Sequence, residues 1–190
     1  MLDELLRIRQ LEVGGKLELI ASRPEKHLRP SDYKKLTFEE AVVIIDSLKK
    51  RGKRVVLVSG VFDILHIGHL AFFDKAREYG DVLGVATPTD KQIQENKDPD
   101  RPITVLSDRL TTLSCIETVD FTFPQNSWST TELLKNTLPS AYVYTSWHNK
   151  NHMAKFIEDV HNINVQLQQV DLDTSAISSS RLISLIEKLK

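Results

Sequence analysis

The sequence has little of several features that define specialised classes of protein. Its 190 residues include one cysteine, Cys115, so no intrachain disulfide can form, which fits a reducing compartment. Basic residues (25) and acidic residues (26) nearly cancel, so no overall basic field favours nucleic acid. No apolar run approaches the ~18 residues of a membrane span, and the start at Met1 does not resemble a signal peptide. We therefore expect a cytoplasmic globular protein that binds neither nucleic acid nor membrane.

The first part of the chain predicts two helices before the first strand. Leucine and isoleucine recur at helical spacing from Leu2 to Leu11, and Gly14–Gly15 ends that pattern. We assign residues 1–36 to an N-terminal helical arm, which packs on its own domain or on a second subunit. Thr37 and Glu40 then have the spacing of a capping box, which predicts the start of the second helix.

Short β-branched or aromatic runs alternate with helical patterns over residues 37–190. The predicted strands are Val55–Val58, Val82–Thr87, Val119–Phe123, Ala141–Tyr144 and Asn164–Leu167. This alternation predicts a single α/β domain with an open, mostly parallel sheet that is flanked by helices. In such sheets ligands bind beyond the carboxyl ends of the strands.

The most informative stretch is VVLVSGVFDILHIGHL, residues 55–70. Gly60 allows a sharp turn after the strand, and Gly68 lets a ligand approach the backbone at the start of a helix. Helix starts carry unpaired N–H groups and the positive end of the helix dipole, which favour phosphate. His66 and His69 are three residues apart, so both can face the same anion.

Two plainer interpretations compete with phosphate binding. A single histidine near a strand end is usually a hydrogen-bonded structural residue, and a histidine pair can also bind metal. No third or fourth ligand follows at zinc-like spacing, however. The full string G-x-F-D-x-x-H-x-G-H after a buried strand is far rarer by chance than either histidine alone, so we favour the phosphate site.

Two further segments carry candidate phosphate ligands. Ser178, Ser179 and Ser180 precede Arg181 at a predicted helix start, where hydroxyl groups either bind phosphate or simply cap the helix. The polar middle of the chain carries Lys97 and Arg109. Exposed cations of this kind are more often solvated than catalytic.

These motifs together resemble the HxGH nucleotidyltransferases, the cytidylyltransferase-like superfamily. Ser178–Ser180 match the I-S-[ST]-[ST] motif that closes such domains, and the order of Thr89–Asp90, Lys97 and Arg109 is similar to the sugar-phosphate branch. The similarity is greatest to the adenylyltransferase domain that makes ADP-heptose, followed by glycerol-3-phosphate cytidylyltransferases. It extends from about Thr37 to Leu185.

The resemblance implies a Rossmann-like domain that moves a nucleoside monophosphate from ATP or CTP onto a phosphorylated sugar or polyol and releases pyrophosphate. It implies catalytic roles for His66, His69, Lys97 and Arg109. The implied nucleotide-binding residues are Gly60, Val61, Phe62, Asp63, His66, Gly68, His69, Asp90, Ser178, Ser179 and Ser180. We expect no metal held by the protein itself, Mg²⁺ bound with the triphosphate, and a homodimer as one expected assembly.

Three departures from the family pattern leave alternatives open. Thr145–His148 replaces a glycine-acid-aromatic string, Asp173 replaces an arginine of the cytidylyltransferases, and Thr87–Asp90 replaces the Asn-Ser-Asp of the heptose branch. The nucleobase therefore stays open. The acceptor could instead be phosphopantetheine, flavin mononucleotide, nicotinamide mononucleotide or phosphocholine. A non-catalytic nucleotide-binding regulatory module is the alternative outside enzymes.

Overall fold

The computed structural model describes residues 30–145, 156–160, 163–172 and 188. The helices are α1 (Pro30–Lys34), α2 (Phe38–Lys50), α3 (Ile67–Arg77), α4 (Asp90–Asn96), α5 (Leu106–Ser114) and α6 (Thr130–Thr137), and residues 156–160 are also helical. The strands are β1 (Val55–Ser59), β2 (Val82–Thr87), β3 (Phe121–Pro124), β4 (Ala141–Thr145) and β5 (Gln166–Val170). Within these ranges, no helix combines the length and apolarity needed to cross a membrane.

The five strands form one sheet in the order β3-β2-β1-β4-β5, and every pair is parallel. This arrangement confirms the predicted Rossmann-like α/β fold. From β1 the chain first adds β2 and β3 on one side and then returns to add β4 and β5 on the other side. The strand order therefore reverses between β1 and β4. A crevice at the carboxyl ends of the strands is expected at such a reversal.

The β-branched run of β1 is buried on both faces of the sheet. Val55 and Leu57 pack with α2 residues on one face, whereas Val56 and Val58 pack with α3 residues on the other. All four side chains are inaccessible to solvent. Alternate residues of a strand point to opposite faces, so a near-continuous apolar run is what a central parallel strand requires.

Two strands begin later than the sequence pattern predicts. At Asp120 the side-chain carboxylate accepts the Leu83 N–H at 2.8 Å, so β3 begins only at Phe121. Before β5, the Val165 N–H donates to the Ile163 carbonyl at 2.7 Å, which keeps the chain in a turn until Gln166. A side-chain acceptor thus takes the place of a backbone carbonyl before β3, and a turn occupies the residues predicted to begin β5.

The capping box predicted before α2 is present. The Glu40 N–H donates to Thr37 Oγ1 at 3.2 Å, and the Thr37 N–H donates to Glu40 Oε2 at 2.7 Å. The buried face of α2 includes the apolar residues expected from helical spacing, namely Ala41, Ile44, Ile45 and Leu48. Residues at this spacing lie on one side of a helix, which fixes α2 against the sheet.

The described end of the N-terminal arm packs on the edge of the sheet. Lys35 forms a parallel bridge with Thr122, and the Leu36 N–H donates to the Thr122 carbonyl at 2.9 Å. The ammonium group of Lys34 binds the carbonyls of Ile116 and Val119. These contacts cover the exposed edge of β3. Residues 1–29 lie outside the described part, and the boundary at residue 36 stays a prediction.

Gly84, at the centre of the sheet, provides a test of this packing. A Cβ atom there would lie 2.5 Å from both Cδ2 of Leu57 and Cζ of Phe121. We expect Gly84→Ala to reduce the free energy of unfolding by about 1–3 kcal/mol in urea titrations, because the core must move to admit the methyl group. The control is Lys91→Ala, which shortens an exposed side chain on α4 and should change the free energy of unfolding by less than about 0.5 kcal/mol. A Gly84→Ala cost no greater than that of the control would contradict the packing described.

Candidate active site

The candidate site begins where β1 ends, next to the reversal of strand order. Residues 60–66 lead from β1 to the start of α3, and the Gly60 N–H donates to the Ala86 carbonyl at the end of β2 at 3.2 Å. We name residues 60–66 the phosphate loop, after the ligand that its sequence predicts. The loop thus lies at the carboxyl edge of the sheet, where this fold binds ligands.

Gly60 and Phe62 together set the shape of the phosphate loop. Phe62 has a φ of 49°, a left-handed conformation that non-glycine residues adopt rarely and that is enriched at turns and active sites. A Cβ atom at Gly60 would lie only 2.8 Å from Cζ of Phe62, so the glycine leaves room for that ring. The ring then packs edge-on against His69, with centroids 5.3 Å apart, and against Phe73 at 5.2 Å.

The structure brings the two predicted histidines into direct contact. Their rings stack with centroids 3.8 Å apart and an interplanar angle of 25°. The backbone N–H of His66 donates to the ring nitrogen Nδ1 of His69 at 3.4 Å. The proton of a neutral His69 ring therefore resides on Nε2. His66 Nδ1 is buried and has no hydrogen-bond partner within the described residues. An unpaired buried nitrogen is unfavourable and is therefore an unusual feature of this segment.

Both imidazoles are kept neutral by their surroundings. Burial lowers the pKa of His66, and burial together with the neighbouring His66 lowers the pKa of His69 to about 4. Folding therefore favours the neutral rings, and their contribution to stability is lost as the pH falls below about 6.5, where unfolded histidine takes up a proton. Neutral imidazoles can donate one hydrogen bond each to a phosphate oxygen.

Asp63 holds the phosphate loop against residues 101–104. Its carboxylate accepts hydrogen bonds from the backbone N–H groups of Ile103 (3.0 Å) and Thr104 (2.8 Å), and it forms an ion pair with Arg101 at 2.6 Å. Burial alone would raise the pKa of Asp63, but these bonds lower it below its ordinary value. Both carboxylate oxygens are occupied, which fits a structural role better than a metal ligand.

Arg109 is buried, and all five of its N–H donors are used within the chain. Nε donates to the Thr104 carbonyl at 3.0 Å, and Nη1 donates to the Val61 carbonyl at 2.9 Å and to the Thr87 hydroxyl. Nη2 donates to the Pro88 carbonyl and to Asp90 Oδ1. The guanidinium group therefore joins the phosphate loop to the end of β2 and the start of α4.

The other predicted residues lie in different settings. Asp90 begins α4, and its second carboxylate oxygen accepts the Leu106 N–H at 3.1 Å, so it supports Arg109 and the start of α5. Gly68 is buried in the first turn of α3. Lys97 is exposed directly after α4, and its side chain forms no hydrogen bond or ion pair with the described residues. Ser178, Ser179 and Ser180 lie outside the described residues.

Sequence reasoning did not identify Thr87 and Thr104, which hold this network together. The Thr87 hydroxyl donates to the Val61 carbonyl at 3.0 Å, and Thr104 binds both Asp63 and Arg109. Threonine in a strand or a loop is common, and these partners are far away in the sequence. The only available signal was the position of Thr87 at the carboxyl end of a buried strand.

The described residues offer no ready site for a protein-held metal ion. In residues 30–145, 156–160, 163–172 and 188, no group of three or more His, Cys, Asp and Glu side chains is arranged to hold one. The carboxylates of Asp63 and Asp90 already accept hydrogen bonds on both oxygens.

Comparison with known proteins yields a family, several relatives and a structural neighbour. The family model described as cytidylyltransferase-like matches residues 57–185. The bifunctional protein HldE of Sulfurimonas denitrificans is 38% identical over 117 residues, which are 62% of this chain and 24% of that protein. HldE of Nitratiruptor sp. is 42% identical over 106 residues, which are 56% of this chain and 23% of that protein.

A solved structure shares the fold. The lipopolysaccharide core biosynthesis protein from Thermoplasma volcanium aligns with a TM-score of 0.55 and 23% identity, over 64% of this chain and 98% of that one. In contrast, this chain spans only about a quarter of the length of the HldE proteins that it matches.

The low pKa of His69 predicts its titration behaviour. We expect the pKa of the His69 ring to be about 4 in the protein alone. We expect a higher pKa when an anionic triphosphate is added, because a nearby anion favours the protonated ring. NMR titration of ring C–H signals, assigned with a His69→Gln variant, measures both values. A ligand-free pKa near 6.5 would contradict the buried, stacked arrangement.

The hydrogen bonds of Arg109 predict that lysine cannot replace it. Arg109→Lys leaves several buried carbonyls and Asp90 without donors, so we expect a loss of about 3 kcal/mol or more in the free energy of unfolding. Urea unfolding measures this loss. The matched control is Arg54→Lys, which changes an exposed arginine that pairs with Asp81, and it should have little effect. Similar effects of the two variants would refute the supporting role of Arg109.

Proposed function

Since the chain belongs to the cytidylyltransferase-like family, we propose that it moves a nucleoside monophosphate from ATP or CTP onto a phosphorylated sugar or polyol and releases pyrophosphate. The observation that carries this proposal is the stacked pair of imidazoles, His66 at the end of the phosphate loop and His69 in the first turn of α3. Such a pair at the carboxyl edge of a parallel sheet suits a polyphosphate ligand.

The proposed reaction needs no nucleophile from the protein. A phosphate oxygen of the acceptor attacks the α-phosphorus and forms the new P–O bond, while the bond from the α-phosphorus to the bridging oxygen breaks. The electron pair of that bond leaves with pyrophosphate. Catalysis then depends on positioning and on stabilising the negative charge that builds on the transferring and leaving groups.

We propose that His66 and His69 donate hydrogen bonds to the phosphate groups. Neutral rings suit this role because each keeps one N–H donor, and the stacking fixes their orientation. Lys97 is proposed to bind the triphosphate or the acceptor phosphate, since its ammonium group is exposed and close in sequence to Asp90. Ser178–Ser180 are proposed to hold the β- and γ-phosphates, a role that rests on the sequence motif alone.

The sequence predicts a catalytic role for Arg109, but its contacts favour a supporting role. Every donor of its guanidinium is occupied, so the group must leave several partners before it can reach a phosphate. We propose that Asp63, Val61 and Asp90 likewise shape the phosphate loop. Mg²⁺ enters with the triphosphate as part of the substrate and is held mainly by phosphate oxygens and water.

The sugar-phosphate acceptor is supported by the HldE relatives and by the similarity of the sequence to the adenylyltransferase domain that makes ADP-heptose. The match covers only part of each relative, so the acceptor and the nucleobase both need measurement. We propose the cytoplasm as the location of the reaction, because nucleoside triphosphates are available there. A homodimer stays a prediction.

Pyrophosphate release tests this proposal directly. ATP or CTP with Mg²⁺ is combined with sugar phosphates, glycerol 3-phosphate, phosphopantetheine, flavin mononucleotide, nicotinamide mononucleotide and phosphocholine in turn. We expect release with one acceptor class. His66→Ala should reduce turnover by about 10²–10³, by analogy with the loss of an oxyanion-hole donor.

Lys50→Ala is the matched control, since Lys50 is an exposed residue at the far end of α2 from the site and should leave turnover unchanged. Release that persists in His66→Ala would contradict the assigned role of that histidine. Triphosphate binding without release for any acceptor would instead favour the nucleotide-binding regulatory module.

A further inference from the structure

Thr104 is the only residue in this region that contacts both Asp63 and Arg109 through described hydrogen bonds. Its N–H donates to Asp63 Oδ1 at 2.8 Å, and its hydroxyl lies 2.6 Å from the Asp63 carbonyl oxygen and 2.9 Å from Oδ1. Its own carbonyl accepts the Arg109 Nε–H at 3.0 Å. A single residue thus connects the carboxylate and the guanidinium.

These contacts close into a ring that includes the phosphate loop. Arg109 Nη1 donates to the Val61 carbonyl at 2.9 Å, and Val61 precedes Asp63 by two residues in the chain. The path therefore runs from Val61 to Asp63 along the backbone, then to Thr104, to Arg109 and back to Val61. In a closed ring each contact restrains the others, so residues 61–63 cannot shift without breaking at least one bond.

Polar contacts, rather than apolar packing, hold Thr104 in place. Its neighbours Ile103 and Val105 are 56% and 51% exposed, so neither side chain anchors the segment in the core. The β-branched side chain of threonine also has few rotamers, which fixes the direction of its hydroxyl. The position of residues 103–105 therefore depends on the bonds to Asp63 and Arg109.

We propose that Thr104 is a positioning residue for the proposed nucleotidyl transfer, because its backbone closes this ring and its hydroxyl also bonds the carbonyl and the carboxylate of Asp63. This inference rests on the proposed function. Thr104 acts through Asp63 and Val61 on the loop that ends at His66, and it does not itself contact the reacting groups. Loosening the loop displaces the two imidazoles from the phosphates that they bind.

The test replaces the hydroxyl while keeping the shape of the side chain. Thr104→Val retains the branched Cβ and the backbone N–H bond to Asp63, but it removes the hydroxyl contacts to the Asp63 carbonyl and to Oδ1. We expect kcat/KM for pyrophosphate release to fall by about 10- to 100-fold, the scale of a small misplacement of binding groups. We also expect the pKa of His69 to rise from about 4 toward its ordinary value as the stacked pair loosens.

Two further variants serve as controls. Thr104→Ser keeps the hydroxyl and should restore both the activity and the low pKa of His69. Thr112→Val removes an exposed threonine hydroxyl that donates to the Asp108 carbonyl at 2.8 Å, and it should change neither readout. Circular dichroism establishes that each variant is folded at the assay temperature, and Thr104→Ala replaces Thr104→Val if the valine variant is unfolded.

The outcomes distinguish a positioning role of Thr104 from a role in protein stability alone. A folded Thr104→Val protein with a lower Tm but unchanged kcat/KM and an unchanged His69 titration would overturn the proposal. So would a Thr104→Ser protein that loses as much activity as the valine variant. If the unmodified protein releases no pyrophosphate with any acceptor, the proposed function fails, and the His69 titration alone still decides whether Thr104 holds the phosphate loop.

Discussion

The shape of the candidate site depends on the buried guanidinium group of Arg109. A positive charge removed from water is strongly unfavourable unless carboxylates and hydrogen-bond acceptors surround it. Here Asp90 provides a negative charge, and backbone carbonyls and a threonine hydroxyl accept the remaining donors. Because those acceptors come from the phosphate loop, from β2 and from the segment before α5, satisfying one arginine fixes three segments relative to one another.

Asp63 is a second buried charged group, of opposite sign, that is surrounded by hydrogen-bond partners. Its buried carboxylate collects two backbone N–H groups, a hydroxyl and the side chain of Arg101. The phosphate loop is thus held at Val61 by the guanidinium group of Arg109. It is held at Asp63 by the groups that donate hydrogen bonds to the carboxylate. Contacts within the chain therefore fix the shape of the loop, and hydrogen-bond donors held in place are what a charged transition state requires.

Features that depend on local chemistry could be predicted from the sequence. The buried strand β1, the capping box at Thr37 and Glu40, and the shared face of His66 and His69 all follow from spacing within a few residues. The burial of Arg109 and the bridging role of Thr104 could not be predicted, because their partners are distant in the chain and an arginine in a polar stretch is usually solvated. The start of β3 was misjudged for a related reason, since the Asp120 side chain replaces a backbone acceptor.

We propose that the phosphate loop presents two neutral histidines to a triphosphate while Arg109 keeps its contacts within the chain. A crystal structure of the protein with Mg²⁺ and a non-hydrolysable analogue of ATP or CTP tests this claim most directly. The account predicts phosphate oxygens within hydrogen-bond distance of His66 and His69, with the contacts of Arg109 to Val61, Thr104 and Asp90 unchanged. A triphosphate bound away from both histidines, or an Arg109 that leaves Val61 to contact a phosphate, would contradict it.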